Sequence, residues 1–397
     1  MMPMTGKQRV LATFENKPVD KIPVHHSSIS ADAASIIVGR AVVAGGDSCA
    51  WEGIKALWEG GEEGYDAFAE RAEQDALDIT RALDQDVHRY KYWPMWSKDR
   101  KPVKRIDEYT FLFGNPDDRW YTMTYHPELE LLTRQNGRGG HVISAAELTY
   151  DGMITEEQFR RQVEQAEAQA AASTGVVDEE EAHRVYKQYD QYLLKLGGGT
   201  IGVNVQSSND LIALQLWPEL YTRKLKARAL QIKKGIPTLA KAGMQVSFSG
   251  SDFCSNTGPI YSPASLRQVI IPVLKEVVDA YHAAGIRVLY ASDGDFWSVA
   301  DDFFHTAGID GWYEVDKSAG MDLRRLRERY PDRVFLGNIQ TQVLHRGTPD
   351  DVKREVMECL AAAHECGGII VGASNLIMPG TPPENLFMML ETLRDNR

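Results

Sequence analysis

Five short apolar runs recur in the C-terminal part of the chain, and each is followed by polar residues and then by an amphipathic helix. The runs are 245–248, 286–290, 309–313, 333–336 and 368–371. Strands that alternate with helices predict a parallel sheet with right-handed crossovers. Three earlier runs, 24–26, 87–92 and 200–205, bring the predicted strands to eight, the number that closes a (β/α)8 barrel. We therefore predict an α/β fold, a TIM barrel, in one domain spanning residues 1–397.

Residues 103–150 interrupt this alternation. Short β-like runs there are separated by turn residues, chiefly at 114–118, which predicts an antiparallel β meander inserted after the second strand. Two helices are predicted next, over about 155–173 and 178–196. The three glycines at 197–199 precede a strand, so we interpret them as a helix end and turn and not as a phosphate-binding loop.

Charge and composition exclude several classes of partner. The formal net charge is −12 and the sequence pI is about 5.4, which disfavours a nucleic-acid phosphate backbone. The first residues lack the apolar region of a signal peptide, and no run approaches the length of a membrane span. Four cysteines are too few for a disulfide framework. We expect a cytoplasmic protein that binds a small molecule and neither nucleic acid nor membrane.

Carboxylates follow three of the five C-terminal runs, with Glu314 and Asp316 after the third, where a barrel of this kind places its active site. Asp293 and Asp295 come shortly after the second run, and Asp252 lies in the polar segment after the first. Such carboxylates bind a metal, orient a substrate, or act as acid and base if burial separates their pKa values. The spacing alone does not choose among these roles. We predict Asp293 and Asp252 as catalytic residues and Asp295 as a substrate-binding residue.

Two histidines lie in the first two predicted strands. His26 ends the first strand and His88 belongs to the second. Imidazole at these positions acts as a proton shuttle or a metal ligand, with a hydrogen-bonded structural role as the alternative. Alternation along a strand turns only one of His25 and His26 inward. We predict His26 as catalytic and His88 as substrate-binding.

Amide and hydroxyl side chains follow the last two strands. Asn338 comes after the seventh strand, and Ser374 and Asn375 come after the eighth. All three can hydrogen-bond a ligand, so we predict them as substrate-binding residues. No Lys or Arg stands beside either loop, which disfavours a strongly anionic ligand at these positions.

Several motifs resemble those of the uroporphyrinogen decarboxylase superfamily. They are 7–11 with 18–23, 256–259 with 262–263, 282–285, 292–294, 337–339 and 379–385. The resemblance covers essentially the whole chain and is more specific for the superfamily than for any one activity. It implies a (β/α)8 barrel, in agreement with the strand count.

The decarboxylases of this superfamily hold the carboxylates of a tetrapyrrole with an arginine-rich segment after the first strand. Residues 25–31 of this chain contain no arginine, and the first one after them is Arg40. A polyanionic tetrapyrrole requires cations for charge-assisted hydrogen bonds. The resemblance therefore argues against that substrate.

The methyltransferases of the superfamily imply a different chemistry. Thiol-activating members hold zinc with a His-x-Cys pair after the fifth strand and a Cys after the eighth, and zinc lowers the pKa of the thiol. The aligned positions here are Ala291, Asp293 and approximately Asn375. Asp293 would then ligate a harder ion, or bind zinc together with His26.

The resemblance favours a methyltransferase that moves a methyl group between a small methylated substrate and a corrinoid protein. The corrinoid would belong to a separate protein, because this sequence lacks the Asp-x-His-x-x-Gly corrinoid signature. The alternatives are a decarboxylase or lyase acting on a smaller carboxylate, and a non-catalytic ligand-binding barrel. The aromatic-rich segment 90–96 would line either a pocket lid or a homodimer contact.

Overall fold

The computed structural model describes residues 2–90, 95–138, 154–175, 177–196, 199 and 201–397. The fold is mixed α/β. The longer helices are Gly6–Phe14, Ala31–Val38, Ser48–Ala82, Glu156–Ala172, Glu179–Gln188, Ser208–Leu216, Pro218–Ala242, Ile271–Ala283, Leu323–Arg329, Thr341–Arg346, Pro349–Cys366 and Pro383–Asn396. Most of the segment 90–96 lies outside the described residues.

Each of the five C-terminal runs contains a strand of one parallel sheet. Its strands are, in spatial order, Val246–Phe248, Arg287–Ala291, Gly311–Tyr313, Val334–Leu336 and Ile369–Ile370. Their side chains are almost entirely buried, as expected for parallel strands that are covered by crossover helices. The sheet continues through a parallel bridge between Val371 and Val24.

The second parallel strand, Val87–His88, lies beside Val24. The Asp86 amide donates to the Val24 carbonyl at 2.9 Å. Val87–His88 pairs in parallel with Leu193–Leu194. Among the described residues, no strand pair joins Val24 to Val87–His88 or Leu193–Leu194 to Val246–Phe248.

The third strand differs from its prediction. The sequence predicts a helix up to residue 196 and a strand at 200–205, whereas the helix ends at Gln188 and the strand is Leu193–Leu194. The spacing of apolar residues typical of a helix continues through residues 189–194. Leu193–Leu194 nevertheless forms a strand, because it pairs with Val87–His88. Ile201 and Val203 lie outside any strand; their carbonyls accept hydrogen bonds from Tyr290 Oη (2.9 Å) and Ser251 Oγ (3.3 Å).

A four-stranded antiparallel sheet lies in the chain between the second and third parallel strands. Its strands are Lys104–Asp107, Thr110–Gly114, Arg119–His126 and Leu131–Arg138, each paired with the next. Residues 139–150 of the predicted meander lie outside the described residues. Phe111, Phe113 and Met123 form the buried face of this sheet and pack against the helix Ser48–Ala82, where Trp51 stacks on Tyr125.

A buried ion-pair network joins the first helix to the first two parallel strands. Arg9 pairs with Asp20 at 2.7 Å and with Asp86. The other oxygen of Asp86 accepts the Val24 amide at 2.8 Å and lies 3.2 Å from Arg397. Removing one partner of a buried pair is costly because it leaves an uncompensated charge in the interior.

No helix in the described part of the chain is long and apolar enough to cross a membrane.

Replacing Asp86 with Ala should lower the free energy of unfolding by about 3–5 kcal/mol, because Arg9 and Arg397 would lose a buried carboxylate. The measurement is urea unfolding followed by circular dichroism. Arg161→Ala is the matched control, since it removes an exposed ion pair with Glu157 and should change the same quantity by about 0.5 kcal/mol or less. Similar losses in the two variants would contradict the assigned role of the network.

Candidate functional site

A cavity of about 680 Å³ lies at the C-terminal ends of the parallel strands. We call it the central cavity. Its polar and aromatic lining includes Ser27, Arg89, Lys195, Phe248, Asp252, Tyr313 and Glu314. These residues come from five different strand ends, so the convergence of parallel strands assembles them.

Lys195 follows the strand Leu193–Leu194 and enters the central cavity. Its ammonium lies 4.5 Å from the ring centroid of Tyr313 and 5.4 Å from that of Phe248. The pKa of Lys195 is lowered to about 7, chiefly by burial and also by the neighbouring Arg89 guanidinium, against the opposing effect of Glu314. Lys195 can therefore donate and accept a proton near neutral pH.

Glu314 comes directly after the strand Gly311–Tyr313 with a backbone φ of 65°. This conformation is uncommon for a residue with a side chain and occurs preferentially at functional positions. Ser27 Oγ donates to Glu314 Oε1 at 2.5 Å, and Arg89 Nη1 donates to the Ser27 carbonyl at 3.1 Å. Arg89, Ser27 and Glu314 are thus linked across the cavity wall.

The turn of the antiparallel sheet forms another part of this wall. Glu130, at a φ of 47°, lines the central cavity. Its carboxylate accepts the Ala31 amide at 2.7 Å and the Asp32 amide at 2.6 Å. Both amides belong to the first turn of the helix Ala31–Val38, so Glu130 caps that helix from the sheet.

Asp293 lines a smaller polar pocket of about 220 Å³, together with Asp316, Ser374 and Asn375. Asn375 Nδ2 donates to Asp293 Oδ2 at 2.6 Å. The pKa of Asp293 is raised to about 7, chiefly by burial and also by the negative charges of Glu314, Asp252 and Asp316. Asp252 is exposed and lines the central cavity instead. The two predicted catalytic carboxylates therefore interact electrostatically but belong to adjoining compartments.

Asp295 and Asn338 bond to the local backbone and line neither of these two compartments. Asp295 accepts the Trp297 amide at 2.9 Å. Asn338 Nδ2 donates to the Met321 carbonyl at 3.2 Å, and its Oδ1 accepts from Cys359 Sγ at 3.4 Å. In this structure both side chains support the loops in which they stand.

The two predicted histidines also lie away from both compartments. His26 Nδ1 accepts the Ala373 amide at 3.1 Å, and His88 Nδ1 lies 2.8 Å from Thr80 Oγ1. Burial is the main cause that lowers the pKa of each to about 4. Among the described residues, no group of three or more His, Cys, Asp or Glu side chains is arranged to hold a metal ion. The predicted pairing of Asp293 with His26 around a metal ion stays a prediction.

His25, and not His26, faces the residues of the central cavity. Its ring packs edge-on against Phe248 at 5.8 Å between centroids. Burial lowers the pKa of His25, and the charge of Lys195 lowers it further. The alternation rule predicts that one of the two histidines turns inward, but it does not say which one.

Sequence reasoning missed Arg89 and Lys195. It placed Glu314 directly after an apolar run but assigned it no role. Arg89 follows His88 in the second predicted strand. Because side chains alternate along a strand, the choice of His88 as the inward residue turned Arg89 away from the predicted site. Lys195 was hidden by the predicted helix 178–196.

Comparison with known proteins agrees with the motifs. The family model described as Uroporphyrinogen decarboxylase (URO-D) matches residues 216–396. A curated uroporphyrinogen decarboxylase from Pelodictyon phaeoclathratiforme is 28% identical over 138 residues, which are 32% of this chain and 37% of that protein. The chain thus spans little more than a third of this relative's length in the match.

A solved structure agrees over a longer stretch. A methyltransferase from Methanosarcina mazei superposes with a TM-score of 0.59 at 15% identity, covering 99% of both chains. At this identity the likeness concerns the fold. The similarity to the uroporphyrinogen decarboxylase family that the motifs predict is confirmed by the match over residues 216–396.

Proposed function

We propose that this chain is a methyltransferase-like enzyme that moves a methyl group between a small methylated substrate and a corrinoid protein. The observation that carries the proposal is Lys195, a largely buried amine with a pKa of about 7 between two aromatic rings of the central cavity. The fold shared with the Methanosarcina mazei methyltransferase supports the same reaction class. The URO-D match supports an enzyme.

Removing a methyl group from oxygen or nitrogen leaves an electron pair on that atom. The carbon–heteroatom bond breaks, the methyl group passes to the acceptor, and the heteroatom must take up a proton. The Lys195 ammonium can supply this proton, because a general acid works best when its pKa is near the working pH. Phe248 and Tyr313 give the substrate an apolar surface, and Lys195 would regain its proton from solvent.

A corrinoid on a separate protein would supply the methyl acceptor. The central cavity holds about 680 Å³, which suits a small substrate, whereas a corrinoid ring is too large to enter it. The acceptor would therefore approach the exposed rim near Asp252. No step of the proposed reaction passes through a metal ion.

A closed (β/α)8 barrel is part of the proposal. The five-stranded sheet extended by Val24, together with the pair of Val87–His88 and Leu193–Leu194, would supply its eight strands, and the Ser249 hydroxyl donates to the Gly199 carbonyl at 3.1 Å. This contact lies in the interval between the third strand and Val246–Phe248. In such a barrel the antiparallel sheet would be an insertion after the second strand, beside the active face.

The second candidate is a decarboxylase or lyase acting on a smaller carboxylate. Arg89, Lys195 and Arg228 line the central cavity, and cations of this kind bind carboxylates. Asp293, with a pKa of about 7, could protonate the carbon that loses carbon dioxide. Release of carbon dioxide from a panel of small carboxylic acids by the wild-type protein, abolished in Asp293→Asn, would favour this reaction over methyl transfer.

The direct test of methyl transfer mixes the purified protein with cob(I)alamin and a panel of methyl ethers and methylated amines. Formation of methylcobalamin is read from its absorbance. We expect at least one donor to give a signal that depends on the protein. No signal across a broad panel would contradict the proposal.

Replacing Lys195 with Met should lower the methyl-transfer rate at pH 7 by about 100-fold, because the general acid is lost. The wild-type rate should fall as the pH rises through about 7, where Lys195 loses its proton, and the variant should lack this decrease. The measurement is a pH profile of methylcobalamin formation. Lys353→Met, on an exposed helix face, is the control and should behave like the wild type. An unchanged profile in the Lys195 variant would overturn its role.

Replacing Asp293 with Asn should stabilise the protein increasingly as the pH rises from 4 to 8. The folded-state pKa near 7 lies above the ordinary value of 3.8, so the unfolded chain binds fewer protons in this interval and the wild type loses stability as the pH rises. The expected gain reaches about 1–2 kcal/mol, reduced by the partial exposure of the side chain. Urea unfolding at several pH values measures it, with Asp118→Asn in an exposed turn as control. A gain that does not depend on pH would contradict the raised pKa.

A further inference from the structure

A second cavity, of about 430 Å³, lies beside the central cavity. We call it the lateral cavity. The helices Glu156–Ala172 and Pro218–Ala242 form much of its wall, and Gln169, Asn204 and Gln231 contribute amide side chains to it. Neither the sequence motifs nor the proposed reaction makes use of this space.

The lateral and central cavities meet at Ser251 and Arg228, which line both. The boundary between them is thin. Ser251 Oγ donates to the Val203 carbonyl at 3.3 Å, and a Cβ atom on Gly202 would come within 2.2 Å of Ser251. The loop at 201–203 thus approaches Ser251 closely, and the side chain of Arg228 completes the junction.

Arg228 carries a positive charge that the described residues leave without a hydrogen-bond or ion-pair partner. Its neighbours on the same helix are paired. Arg223 donates to Glu167 at 2.9 and 2.7 Å, and Lys224 donates to Asp210. The guanidinium at the junction is therefore available to a ligand, whereas the Asp210 carboxylate in the lateral cavity is already neutralised.

We propose that the lateral cavity is a second compartment of the substrate site and that it accommodates an elongated organic anion whose charged group binds Arg228. A guanidinium presents parallel N–H donors that match a carboxylate. The remainder of the ligand extends past Ser251 towards Lys195 in the central cavity. The identity of the reacting group at Lys195 rests on the proposed function; the binding mode does not.

The first experiment measures the binding of linear dicarboxylates of increasing length, succinate, adipate and suberate, by isothermal titration calorimetry. One carboxylate would occupy the cationic side of the central cavity and the other would reach Arg228, so affinity should rise with length. Arg228→Gln should weaken the longest ligand by about tenfold and remove the dependence on length. Lys226→Gln, on the same helix but outside both cavities, is the matched control and should leave binding unchanged.

The second experiment fills the lateral cavity. Gln231 lines this cavity but not the central one. Gln231→Phe should weaken suberate and leave succinate unaffected, while Gln231→Ala should retain the binding of both. Equal binding by the wild type and the Arg228 variant, no dependence on length, or no binding of any dicarboxylate would overturn the proposal. Because no turnover is measured, a failure of methyl transfer would leave these results standing.

Discussion

The parallel register between Val87–His88 and Leu193–Leu194 determines the character of the central cavity. His88 pairs with Leu194, and the Lys195 amide donates to the His88 carbonyl at 2.9 Å. The next residues along the two strands, Arg89 and Lys195, therefore both enter the same cavity. Burial disfavours the charged form of Lys195, and the Arg89 guanidinium has the same effect, so the pKa of Lys195 falls towards neutrality. The low pKa therefore depends in part on the pairing of two strands about a hundred residues apart in sequence.

The predictable part of the fold is the part that local sequence encodes. Each of the five C-terminal strands is followed along the chain by a helix. The apolar run, the polar residues after it and the helical period of apolar residues are therefore all visible in the local sequence. Leu193–Leu194 becomes a strand only through its pairing with Val87, which no local pattern contains. The same distinction holds at the site. Strand-end position predicted that Asp293, Ser374 and Asn375 would lie near one another, but it could not fix which side of the first strand faces inward.

The charge of the cavity also depended on contacts that are distant in sequence. The absence of Lys and Arg beside the last two strands disfavoured a strongly anionic ligand there. In the structure, cationic side chains from other elements line the central cavity: Arg89 after the second strand, Lys195 after the third and Arg228 on the helix Pro218–Ala242. Asp252 and Glu314 share the cavity with them. A cavity with both signs of charge can hold an anionic substrate and still transfer a proton to it.

The Glu130 cap links the antiparallel sheet to the helix after the first strand. If the sheet moved outward, the amides of Ala31 and Asp32 would lose their acceptor and the positive end of the helix dipole would lose its counter-charge, at a cost of about 1 kcal/mol or more. This free-energy cost opposes an outward movement of the sheet turn that lines the central cavity. Loss of the Glu130 carboxylate would therefore remove a restraint on this cavity wall without touching Lys195 or Glu314.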